Sequence, residues 1–174
     1  MGAWGAIIMA FFGALFAALT LHWQWHVSGA ALAPPYVLFA AIAAAAIHVL
    51  RQPGEGLAPS AKARRTILWS SSAEGVGLFV AANIVINLHR PDLLLPAMAL
   101  VVGLHFLPIA AAMAFSPFYL LGATMILAAL AGFLAPAPAG GAIAGSMGAL
   151  SLWIAAALAV RREWRARRFS RQPG

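Results

Sequence analysis

The chain has 174 residues, of which 63% are hydrophobic and only 9% are charged, and this composition excludes an ordinary soluble domain. The net charge of +7 is carried by two short segments and not by a folded basic face, so we expect no nucleic-acid partner. The absence of cysteine excludes disulfides, thiolate metal sites and cysteine nucleophiles. We predict an all-α polytopic membrane protein, because six helices of about 20 residues would fill about 120 positions.

Six apolar segments follow one another along the chain, at about 3–21, 31–50, 67–88, 93–114, 117–134 and 140–160. The first lacks the positively charged start of a signal peptide, so we expect it to be retained as a transmembrane helix. The second begins at Pro34 and Pro35, which a first helical turn tolerates. Ser60 is predicted to cap a helix that continues into the third span. Ser116 is predicted to cap the fifth span, with Pro117 at its first helical position.

The basic residues divide the molecule into an inside and an outside. Ten of the eleven Lys and Arg residues lie in the loop 51–66 or in the tail 161–174, and only Arg90 lies elsewhere. Because loops rich in Lys and Arg stay in the cytoplasm, we predict that both termini are cytoplasmic. Residues 1–160 then form one transmembrane domain, and the tail, with aromatic residues among its arginines, is typical of segments that contact anionic membrane lipids.

The third and fourth spans each carry an ionisable residue at a matching depth. Glu74 follows Ile67 by seven residues, and His105 precedes Met113 by eight, so both lie roughly 10–12 Å from the cytoplasmic end. A buried carboxylate beside an imidazole can exchange a proton, as a relay or ligand site requires. The other interpretation is a structural hydrogen bond that holds the two spans together.

Two asparagines add polarity to the third span. Asn83 and Asn87 are four residues apart and share one helix face. Nine residues separate Glu74 from Asn83, which places them on opposite sides of a regular helix. A role in ligand binding and a role in bonding a neighbouring helix both stay open.

The histidines are weaker candidates for metal or haem binding. His22 and His26 have the i, i+4 spacing that can bind one metal ion, and His89 is predicted at the same outer face. His48 and His105 are conceivable axial haem ligands, but their predicted depths differ. We therefore predict neither a metal nor a cofactor.

Small residues recur along one face of the sixth span. Gly141, Gly145 and Ala149 form a small-xxx-small stripe, which lets helix backbones approach closely. The stripe predicts burial against another helix, either within the chain or in a homo-oligomer.

The third and fourth spans also carry a resemblance. Glu74-Gly75 and Gly103-Leu104-His105-Phe106-Leu107-Pro108 resemble a pattern of small multi-span bacterial integral membrane proteins of unassigned function. The resemblance covers about residues 70–133, roughly a third of the chain. It implies a helical bundle in the inner membrane of a bacterium and supplies no reaction.

These patterns favour a small transporter or channel in which Glu74 and His105 handle protons or a small ligand. The first alternative is a non-catalytic membrane partner or scaffold subunit, whose polar residues only bind helices to one another. The second alternative is a membrane-embedded enzyme or haem carrier. No motif favours the enzyme alternative over the other two, because the sequence contains no Walker loop, serine triad or zinc-protease motif.

Overall fold

The computed structural model describes residues 2–170, and within them it contains six long α-helices and two short 3₁₀ helices. The long helices are α1 Ala3–Trp25, α2 Ala33–Arg51, α3 Ala61–Asn87, α4 Leu94–Met113, α5 Ser116–Leu134 and α6 Ala139–Phe169. Each is long and apolar enough to cross a membrane. The predicted all-α class with six membrane-length helices is confirmed. Arg171, which we assigned to the tail, lies outside the described residues.

Of the two predicted helix caps, one is formed and one is not. The Ser60 hydroxyl accepts a hydrogen bond from the backbone N–H of Ala63 at 3.2 Å, which confirms the predicted cap of α3. The predicted cap at Ser116 is wrong, because Ser116 is already helical and Phe115 precedes it without a side-chain cap. The Phe115 ring packs edge-on against Phe118, with 4.8 Å between ring centroids, and this contact fixes the start of α5 instead.

Two helices are longer than the apolar segments that predict them. α3 begins at Ala61, ahead of the predicted span at 67–88, and α6 continues beyond residue 160 to Phe169. Both extensions are rich in Lys and Arg, which are good helix formers, and neither contains proline or glycine. The basic segments are therefore helical where they leave the apolar part of the bundle.

Four helices form the centre of the bundle and two lie at its edge. α1 packs on α6, α6 on α5 and α5 on α4, whereas α2 packs mainly on α1, and α3 on α4. Only 11% of the most apolar eighteen residues of α2 and of α3 are buried, against 50% in α1. The centre contains the fully buried side chains of Phe16, Phe118, Met125 and Leu152. These side chains pack closely in van der Waals contact at the centre of the bundle.

The small-residue stripe of α6 lies against α1. Gly141, Gly145 and Ala149 are all buried. A β-carbon added at Gly145 would overlap the Thr20 hydroxyl, and one added at Gly141 would overlap the Gln24 amide. The stripe therefore contacts a helix of its own chain. A homo-oligomer through α6 stays a prediction, and it would have to use another face of that helix.

The end of α6 is bound to the loop between α2 and α3. The Glu163 carboxylate is 4% exposed, and it accepts hydrogen bonds from Arg167 Nε at 3.0 Å and from the backbone N–H of Leu57 at 3.4 Å. Arg167 Nη1 donates to the backbone carbonyl of Gln52 at 2.8 Å. The two basic segments therefore lie together at one end of the bundle.

Candidate functional site

The site lies between α3 and α4, where three polar side chains meet. Ser70 and Glu74 are four residues apart on α3, so both point from the same face toward α4. Glu74 Oε2 lies 3.6 Å from His105 Nε2. The Glu74 side chain is 13% exposed and that of His105 is 6% exposed, so the two groups are held away from most solvent.

The hydroxyl of Ser70 fixes the imidazole of His105. Ser70 Oγ donates to the backbone carbonyl of His105 at 2.9 Å and lies 3.1 Å from His105 Nδ1. Because a hydroxyl has one proton, which the carbonyl already receives, Nδ1–H must be the donor in the second contact. Nε2 therefore faces Glu74 and carries the titrating position of the ring.

Glu74 and His105 can then share one proton in two ways. Either the carboxyl is protonated and faces a bare Nε2, or the carboxylate faces an imidazolium N–H. At 3.6 Å the two atoms are too far apart for a direct hydrogen bond but close enough for an ion pair when the ring is protonated. The arrangement is suited to accepting and releasing a proton.

A large cavity opens onto this pair on the side of the α3–α4 contact that faces away from the centre of the bundle, and we call it the outer cavity. Its volume is about 770 Å³, and both Glu74 and His105 line it. Lys62 and Arg65 line its far end, and Lys62 precedes Glu74 by twelve residues, or about 18 Å along the helix. Trp69 supplies an aromatic wall between the two ends. The cavity thus extends from the basic end of the bundle down to the buried pair.

A smaller cavity lies on the other side of the same pair. It has a volume of about 60 Å³, enough for a few water molecules, and Glu74 and His105 line it as well. Its other walls include Met9 of α1 and Leu152 of α6. The pair therefore stands between an outer cavity and a small inner one that reaches the centre of the bundle.

The backbone near the site is adapted to this geometry. Pro108 lies inside α4 and has no N–H to offer the carbonyl of Leu104, and both residues line the outer cavity. A β-carbon added at Gly77 would come within 2.9 Å of the Val101 side chain, so glycine permits the close approach of α3 to α4. Below Glu74 the two helices therefore pack tightly.

Asn83 and Asn87 do not join the site. Both side chains are exposed and donate to carbonyls of their own helix, Asn83 to Phe79 at 2.7 Å and Asn87 to Asn83 at 2.8 Å. These bonds leave no contact with Glu74, as the half-turn offset in sequence predicts.

The remaining histidines are not gathered into a site either. Within residues 2–170 no group of three or more His, Asp or Glu side chains could hold a metal ion together. His22 Nδ1 lies 3.1 Å from the backbone carbonyl of Val27, and His26 and His89 are exposed. His48 is exposed on α2, whereas His105 is held between α3 and α4.

Sequence reasoning missed two functional features. Ser70 was visible as one of several polar residues of the third span, and its i, i+4 spacing from Glu74 is the signal that places both on one face. The two cavities have no sequence signal, because they depend on how far α3 stands from its neighbours.

No match to the chain is found among protein families, curated proteins or solved structures.

Proposed function

We propose that this protein is a small integral membrane transporter that passes protons through the Glu74–His105 pair. The observation that carries the proposal is the position of the pair between two cavities, with the outer one reaching the basic end of the bundle. A pair that served only to hold two helices together would need no such space. Buried ionisable groups of membrane helices are costly and mark ion or proton pathways.

The proposed path begins at the cytoplasmic end. A proton enters the outer cavity past Lys62 and Arg65. The positive charges of these two residues attract anions to the entrance, and an anion there offsets their repulsion of the proton. It is taken up by the carboxylate of Glu74 or by Nε2 of His105, and water in the inner cavity continues the path toward α1 and α6. Both termini and the loop 51–66 are placed in the cytoplasm in this proposal, in agreement with the positive-inside rule.

Reconstituted vesicles test this function directly. The full chain is inserted into vesicles that hold a pH-sensitive dye, and a potassium gradient with valinomycin drives protons inward. We expect proton flux about tenfold above that of empty vesicles, and Glu74→Gln should return it to the empty-vesicle level, because the amide keeps the shape but cannot titrate.

Asn87→Ala is the matched control, since Asn87 is a polar residue of the same helix that lies outside the site. It should keep the flux of the natural protein. A natural protein that conducts no more protons than empty vesicles would overturn the proposal, and so would equal flux in Glu74→Gln.

The scaffold alternative has one observation in its favour. α2 and α3 each bury only 11% of their most apolar residues, so most of their surface is free to contact lipid or a partner helix. In that case Glu74→Gln changes no flux and only alters the contact between α3 and α4.

A further inference from the structure

A second polar cavity lies at the basic end of the bundle, away from Glu74. It has a volume of about 260 Å³ and lies where α5 begins and α6 leaves the apolar core. Its walls are three arginines and three apolar residues, namely Arg161, Arg162, Arg165, Phe115, Pro117 and Leu158. The nearest acid along the helix, Glu163, is already bound to Arg167 and Leu57, so it does not neutralise these arginines.

Arg162 is the least exposed of the three arginines. Its guanidinium carbon lies 4.5 Å from the centre of the Phe115 ring, in a cation–π contact. Its Nη1 is buried and has no hydrogen-bond partner in the described part of the chain. A buried guanidinium N–H without an acceptor is costly, and the charge of an anion in the neighbouring cavity would offset part of this cost.

An apolar groove continues from the arginine cavity along the bundle. A cavity of about 220 Å³ between α5 and α6 shares Pro117 and Leu158 with the arginine cavity. Its walls are mostly apolar and include Leu120, Leu121 and Ile154. A cationic cavity followed by an apolar groove has the polarity of a lipid headgroup joined to its acyl chain.

We propose that this combined site binds an anionic phospholipid of the membrane. The phosphate accepts hydrogen bonds from the arginines that line the cavity, and guanidinium groups fit phosphate oxygens in pairs. One acyl chain lies in the groove between α5 and α6. The proposal requires that the helices lie in a bilayer, and it does not depend on proton transport.

Lipid titration of the full chain in detergent tests this site. Phosphatidylglycerol and phosphatidylcholine are compared by native mass spectrometry, since they differ in headgroup charge while sharing a phosphate and acyl chains. We expect phosphatidylglycerol to bind at least tenfold more tightly. Arg162→Gln should lower its affinity about tenfold, whereas the matched control Arg168→Gln should stay within twofold, because Arg168 stacks on Trp164 outside the cavity.

A second variant guards against a folding defect. Arg161 and Arg165 are exposed, so the double variant Arg161→Gln/Arg165→Gln keeps the core intact and should also lose at least tenfold in affinity. Equal binding of the two lipids, or an equal loss in Arg168→Gln, would overturn the proposal. Glycerol 3-phosphate that competes as strongly as the lipid would also overturn it, since the site would then bind a soluble phosphate. Selective lipid binding without proton flux would overturn only the transport function.

Discussion

At the scale of single residues, the hydroxyl of Ser70 decides which nitrogen of His105 faces Glu74. Its one proton goes to the His105 carbonyl, so Nδ1 must supply the other hydrogen bond. The hydrogen-bond partner of one imidazole nitrogen commonly sets the tautomer of the ring in this way. In the proposed transport function Ser70 is therefore a positioning residue, and Nε2 and the Glu74 carboxyl are the groups proposed to exchange the proton.

Ser70→Ala should remove the preference of the His105 ring for the tautomer that carries its proton on Nδ1. We expect the ring to convert in part to the form that carries its proton on Nε2, since the bond worth about 0.5–1.5 kcal/mol that favours Nδ1–H is lost. Nitrogen-15 NMR of labelled histidine measures the tautomer directly, and proton flux should fall several-fold. Ser72→Ala is the control, because Ser72 is an exposed residue of the same helix. An unchanged His105 spectrum in Ser70→Ala would contradict the assignment.

The positions of Glu74, His105 and Asn83 relative to one another were predictable from the sequence, whereas the burial of Glu163 was not. Depth along two antiparallel helices was enough to bring Glu74 and His105 together, because α3 and α4 are consecutive and their connection is short. Helix rotation was enough to separate Asn83 from Glu74. The burial of Glu163 was not predicted, because it depends on a contact with Leu57 across 106 residues.

At the scale of helices, the contact between α1 and α6 depends on small residues and on one long-range hydrogen bond. Gly145 lies against Thr20, and farther along α6 the indole N–H of Trp153 donates to the backbone carbonyl of Ala10 at 3.2 Å. Both contacts require the two backbones to stay close. Any side chain that separates them loses packing along much of the interface.

Gly145→Leu should therefore destabilise the purified protein. The added side chain meets Thr20 and Leu95, so we expect a loss of roughly 1–3 kcal/mol, as for other overpacked cores. Thermal unfolding in detergent measures the change. Met147→Leu on the exposed face of the same helix is the control and should unfold like the natural protein. A variant at Gly145 with an unchanged midpoint would mean that the stripe does not contact α1.

The positions of the helices were predictable, because each follows from an apolar segment of the sequence. The residues at which the helices begin and end were harder to predict. The apolar segments gave all six helices within a few residues at most ends. The Ser60 cap predicts that α3 begins ahead of its apolar segment, whereas no such signal marks the tail, since hydropathy marks only the part of a helix that lies in the apolar layer. Residues 161–169 continue α6 beyond its apolar segment, because nothing in them breaks a helix.

At the scale of the whole molecule, the two basic segments are joined into one surface. Glu163 binds the backbone of Leu57, Arg167 binds the carbonyl of Gln52, and the Ser170 hydroxyl accepts from the backbone N–H of Glu55 at 2.9 Å. With six helices, the first turn of α1 lies at this end as well, and a β-carbon added at Gly2 would overlap Glu163. The charge that sets orientation is thus concentrated at one end of the bundle.

Because these segments are in contact, we expect them to lie on the same side of the membrane, and the positive-inside rule predicts that this side is the cytoplasm. The absence of cysteine allows single cysteines to report it. Ala58→Cys and Phe169→Cys, at exposed positions of the loop and of α6, should resist an impermeant thiol reagent in intact cells and react once the cells are opened. Ala137→Cys, in the exposed turn before α6 at the opposite end, should react in intact cells. Labelling of both Ala58→Cys and Phe169→Cys in intact cells would show that the protein has the opposite orientation. If one of Ala58→Cys and Phe169→Cys were labelled from outside and the other were not, the loop and the tail would lie on different sides of the membrane. That result would contradict the contact between them.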